Sequence, residues 1–311
     1  MAPGAGDDLR SRHSFLLKPT VPKPGSISRP QLSVSFLLLP IMSIEEDLFG
    51  TTFDYGSEFL NSQLDHLTLD DYEKHRTRVF GTSNPQLHLE SEQPYWYAMI
   101  RSTLDSWNGA RTLGTRLGTD LRDYESVPRY TIERFGQSRA VLPDGTVVWI
   151  AGEHEDSYDP DFMIYNDVLV IRPLPPATAK GDDTYDASGV TRPRCRPMEL
   201  YGYPEDVFPP TDFHTATLVG SRIWIIGNLS YMDNRRVNET QVLVLDTATF
   251  AIEHLPTTGT IPGWLFRHNA RLTRDTSEII VSGGEVQNET TLAPLDGEYA
   301  LNLATRVWRK L

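Results

Sequence analysis

The chain has 311 residues, with 29 Lys and Arg against 42 Asp and Glu, a formal charge of −13. That balance argues against nucleic acid or an anionic membrane as the main partner. A hydrophobic fraction of 39% and 22 prolines fit a loop-rich fold better than a helical bundle, and Cys195, the one cysteine, leaves no internal disulfide and no cysteine zinc cage.

The apolar run "LSVSFLLLPIM" at 32–42 is too short to span a bilayer and has no small-residue cleavage site after it. Residues 1–41 are expected to be a disordered tail. With one cysteine and no convincing targeting signal, the expected compartment is cytoplasmic.

Residues 42–123 read as a helical segment. Ser43 with Glu46, and Thr68 with Asp70 and Asp71, have the pattern of capped helix starts. "PYWYAMIRSTLDSWNG" predicts one helix from Pro94 to a cap at Gly109. Its apolar stripe of Trp96, Met99, Ile100, Thr103, Leu104 and Trp107 is expected to pack on the domain that follows.

Residues 124–311 change to short β-type runs. "TVVWIAG", "RIWIIGN" and "EIIVSGG" each end at glycine and are followed by a loop and a second run, "NDVLVIRP", "NETQVLVLDTATF" and "GEYALNLATRVW". This is an internal repeat. Gln137, His214 and His268 occupy one position in it, and Asp246, Thr249 and Ile252 match Asn302, Thr305 and Trp308. Extra length at 173–197 reads as a flexible insertion.

These residues resemble the kelch-type β-propeller family: "FHTATL" and "RHNARL" leading into a first strand, glycines after the second, "NDVLV" and "TQVLVLD" in the third, and Trp308 in the fourth. The resemblance covers roughly 130–311. It implies a mainly β fold of three four-stranded blades with the helical segment beside them. Three blades fall short of the four or more that close a propeller. In this alignment Glu153 and Asn228 stand where the second glycine is expected, and Ile252 replaces tryptophan.

The repeat places "GEHEDSYDPDF", residues 152–162, in the loop between second and third strands, on the same face as the start of each first strand. His154, Glu155, Asp156, His214 and His268 are therefore candidates for one divalent metal, since imidazole with carboxylate suits zinc or iron. The alternative is a structured acidic rim without cofactor, with Asp159 and Asp161 in ordinary turn roles. Resemblance to the nitrile-specifier proteins, which share the kelch propeller, would require a Glu-x3-Asp-x3-His iron motif; Glu155 and Asp159 have its first spacing, but the third position is Met163. No phosphate loop or nucleophile turn is present. The resulting expectation is a protein-interaction module whose rim, with Asp212, Trp264 and Arg267 as contacts, meets a basic protein partner. The competing expectation is a metal-dependent enzyme using the same rim.

Overall fold

The computed structural model describes residues 43–49, 57–121, 129–154, 162–174, 184–185, 191–192, 195–287 and 291–311. The expected tail at 1–41, and Glu155, Asp156, Asp159 and Asp161, lie outside them. Among the described residues no helix is long and apolar enough to cross a membrane.

Both expected caps form. Ser43 Oγ accepts the Glu46 N–H while the Glu46 carboxylate accepts the Ser43 N–H, opening helix Ile44–Phe49. Thr68 and Asp71 do the same for Leu69–His75. The single helix expected from Pro94 to Gly109 is instead two. Pro94–Ser102 stops at Thr103, in the left-handed region with φ 50°, and Ser106–Leu117 begins after Asp105. Asp105 decides the break: its carboxylate accepts the Asn108 N–H at 2.7 Å, a capping role that aspartate fills better than a helix interior. Gly109 then lies inside the second helix, where a Cβ would come within 2.6 Å of the Met99 sulfur. A further departure is the strand Gln86–His88, which interrupts the helical segment and pairs antiparallel with Met198–Gly202.

The rest is mainly β. Three sheets follow in order, each built on a four-stranded antiparallel meander, with Gln86–His88 adding a fifth strand to the first and Thr258–Gly259 a parallel fifth strand to the third. The first sheet runs Ser138–Val141, Val147–Ile150, Asp167–Ile171 and Met198–Gly202. The second runs Thr215–Val219, Arg222–Ile226, Val242–Asp246 and Ile252–His254. The third runs Asn269–Leu272, Glu278–Ser282, Glu298–Asn302 and Val307–Lys310. The first strand of the second sheet contacts the first strands of both neighbours. Of the expected insertion at 173–197, the described part includes a ladder pairing Thr184–Tyr185 with Thr191–Arg192; most of the rest lies outside the described residues.

Two-residue periodicity sorts each strand onto two faces. Val148, Ile150, Val168 and Val170 of the first sheet meet Ile223, Ile225, Leu243 and Leu245 of the second. The second sheet's other face, with Trp224, Ile226 and Val244, meets Ile279, Val281, Leu301 and Trp308 of the third. Val147, Trp149, Leu169 and Ile171 turn the other way, onto Trp96, Met99 and Ile100 of the helices. The free face of the third sheet carries the exposed pairs Arg271–Glu298 and Arg309–Glu278. Each buried apolar side chain contributes about 1.5–3 kcal/mol and each exposed ion pair only about 0.2–1, so stacking holds the sheets together.

The register fixes the repeat more closely than spacing does. Ser138, Thr215 and Asn269 pair with Ile150, Ile226 and Ser282. The next two residues are therefore Ala151–Gly152, Gly227–Asn228 and Gly283–Gly284. This corrects the sequence alignment by one position in the first repeat: Gly152 is itself the second glycine, and Glu153 lies beyond it. A Cβ on Gly284 would sit 2.5 Å from the Phe266 carbonyl oxygen and one on Gly152 3.0 Å from that of Phe135, so close backbone approach is what selects glycine there. The turns between third and fourth strands also coincide. Asp246 Oδ1 accepts from the N–H of Ala248 and Thr249, and Asn302 Oδ1 accepts from those of Ala304 and Thr305.

Candidate functional site on the shared loop end

The first-strand starts and the loops after the second strands lie at one end of the sheets. Phe135 bridges Glu153, and Trp264–Phe266 pairs with Glu285–Gln287. Neighbouring repeats are stitched there too, with Gly152 N–H donating to the Thr211 carbonyl and Asn228 N–H to that of Leu265. One residue before each first-strand histidine or glutamine the backbone turns left-handed, at Gly136 (φ 59°), Phe213 (φ 48°) and Arg267 (φ 56°). These three form a ladder across the sheets: Phe213 N–H donates to the Gly136 carbonyl, and Arg267 N–H to that of Phe213, each at 2.8 Å.

The three candidate histidines take three separate partners. His154 Nε2 lies 2.9 Å from the Ser106 hydroxyl at the start of a helix. His214 Nε2 lies 2.6 Å from Ser138 Oγ, and His268 Nε2 lies 2.9 Å from Thr215 Oγ1, each reaching the first strand of the preceding sheet. Burial drives the His214 pKa down to about 3, helped by the nearby His268, and lowers that of His268 to about 4. Both rings are neutral at pH 7 and act as latches between sheets. Among the described residues no three His, Cys, Asp or Glu side chains group to hold a metal; Glu155 and Asp156 lie outside those residues.

The expected contact residues divide. Arg267 is exposed: it pairs with Glu285 at 3.3 Å and lies over the Phe213 ring, 4.5 Å from its centroid. Asp212 is fully enclosed, which removes it from the surface. Its Oδ1 accepts the Ser230 N–H at 2.7 Å and its own N–H donates to Asn228. Burial raises its pKa, opposed by that Ser230 bond and by a hydrogen bond with Glu153. Trp264 is also buried, its indole N–H donating to the Leu229 carbonyl, yet one edge borders a groove.

That groove, of about 960 Å³, opens between the 228–241 loop of the second sheet and the segments leading into the second and third sheets. Glu205, Asp206, Asp233 and Glu239 are exposed along it. Sequence reasoning found Trp264 but none of these four. They are scattered over 35 positions in turns without a motif, and only the meeting of two linkers with one loop brings them together. Large apolar side chains also stand exposed at this end: Phe135 at 61% and Met232 at 74% of their surface.

No family model and no curated protein matches the chain. A solved structure named "Structure of YjhT" is similar at a TM-score of 0.37 and 11% identity, over 60% of this chain and 52% of that one. The chain thus spans about half the length of that structure.

Proposed function

We propose that the three meanders are kelch-like propeller blades and that the chain is a protein-interaction module whose loop end receives a protein partner. The observation that carries the reading is the exposure at that end of Phe135, Met232 and the Arg267 guanidinium, on loops whose backbone is tied across the three sheets through Gly136, Phe213 and Arg267. Aromatic residues, Met and Arg are enriched where proteins meet. A rigid β scaffold holds such loops with little ordering cost on binding.

The test is quantitative affinity capture with three forms of residues 42–311. These are the unaltered chain, a Phe135→Ser, Met232→Ser, Arg267→Ala variant, and an Arg271→Ala, Arg309→Ala control on the free face of the third sheet. A stoichiometric partner is expected to be lost from the first variant and kept by the control, with far-UV spectra unchanged in both. Equal retention by both variants would refute the reading.

A further inference from the structure

The groove beside Trp264 gathers four carboxylates with no ion pair among the described residues. Several carboxylates outside it do meet cations: Asp47 meets Arg139, Asp167 meets Arg134, Glu199 meets Arg172, and Asp296 meets Lys310. Glu205, Asp206, Asp233 and Glu239 line the groove, with Arg236 as the one lining Lys or Arg side chain. Among the described residues none of the four has an ion pair. Four exposed carboxylates against one cation focus a negative potential into a concave, partly apolar space.

The interior of the groove is already satisfied. Asn228 Nδ2 donates to the Pro210 carbonyl and to Gln241, Thr240 Oγ1 to the Gly263 carbonyl, and Trp264 Nε1 to that of Leu229. What the groove leaves open is an apolar wall of Val207, Leu255, Ile261 and the Trp264 edge, below a carboxylate border. An apolar wall with an acidic border suits side chains that are apolar along the stem and cationic at the tip, as Lys and Arg are. The volume is at the upper end of the roughly 300–1,000 Å³ range of ligand pockets and is open at the border, which suits a chain segment of several residues.

We propose that this groove binds an extended basic segment of a partner protein, with two or more Lys or Arg side chains set against Glu205, Asp206, Asp233 and Glu239. The proposal rests on the interaction-module reading and specifies which part of the loop end selects the partner. Charge complementarity chooses the occupant, and binding weakens as salt rises.

The probe is a positional-scanning library of fluorescein-labelled decapeptides, read by fluorescence anisotropy against the full chain and three variants. Lys and Arg are expected to be preferred over Glu at two or more positions. The Glu205→Gln, Asp206→Asn, Asp233→Asn, Glu239→Gln variant is expected to weaken the selected peptide at least tenfold. A tenfold loss over four exposed charges follows from the usual worth of surface pairs. Arg271→Ala on the free face of the third sheet should leave binding unchanged. Absence of basic preference, or an unchanged affinity in the four-site variant, would overturn the proposal. So would saturable binding of spermine without binding of any peptide, since the groove would then be a small-polyamine site. The Phe135→Ser, Met232→Ser, Arg267→Ala variant separates the two readings: partner capture lost in it while the unaltered chain shows no basic peptide preference sinks the groove alone, whereas intact capture in it with a basic preference in the unaltered chain sinks the exposed-residue reading alone.

Discussion

Replacing Asp47 with Ala tests whether the helical segment is bound into the β stack. The Asp47 carboxylate is 1% exposed and receives two bonds of 2.7 Å from Arg139 and one of 2.8 Å from the Trp149 indole. Removing it takes two bonds from the Arg139 guanidinium and one from the Trp149 indole N–H. Breaking a buried pair from one side costs about 3–5 kcal/mol. The Arg139 side chain is 25% exposed and recovers some hydration, which moves the expectation to about 3 kcal/mol. In a body of this size that lowers Tm by roughly 6–12 °C. Urea unfolding followed by tryptophan fluorescence measures it, with Trp149 itself at the lesion. The double variant Asp47→Leu, Arg139→Met should recover much of the loss, because the guanidinium charge is gone. A loss below about 1 kcal/mol, the worth of a surface pair, would refute the argument that this contact is buried and structural.

Gly284→Ala is expected to cost well over 1 kcal/mol, because it adds a Cβ at φ 77° within 2.5 Å of a backbone oxygen, while Gly220→Ala, at φ 61° with nothing within 4 Å, pays only the left-handed strain of about 1 kcal/mol. Equal melting shifts for the two would show that close approach is not what selects Gly284. His214 and His268 have folded pKa values near 3 and 4, below the unfolded value of about 6.5. The unfolded chain therefore binds protons first on acidification. Their contribution is full above about pH 6.5 and falls as pH drops towards 4, with a slope approaching two protons. His214→Gln with His268→Gln, copying Gln137 of the first repeat, should flatten urea stability across that window; an unchanged pH profile would rule the latches out. Asp105→Ala should lower stability by about 1 kcal/mol through loss of the cap on Ser106–Leu117, read as a drop in Tm and in helical circular dichroism.

The repeat was legible in the sequence because its signals are local. Strands rich in Ile and Val, glycines where backbones touch, and the Asp246 and Asn302 turns each state their geometry within a few residues. The break at Asp105 was missed because the apolar stripe runs on past it and periodicity does not register a capping carboxylate. The strand Gln86–His88 has three residues and owes its form to Met198–Gly202, more than a hundred positions away. Site residues suffered most. Asp212 and Trp264 look like rim residues by position, but burial depends on how neighbouring repeats close over them. The four groove carboxylates have no common spacing to be read.

The segment from Gly81 to His88 runs along the outer edges of two sheets. Gly81 N–H donates to the Tyr203 carbonyl, Gln86–His88 pairs with the outer strand of the first sheet, and the Asn84 amide exchanges two bonds with Ile252 on the outer strand of the second. A single strap thus occupies the open rim of two sheets, the place where an unpaired strand would recruit another chain. Docked there, these eight residues cover edges that would otherwise favour edge-to-edge polymerisation. A chain in which they fail to dock would present Met198–Gly202 as a template for its neighbours.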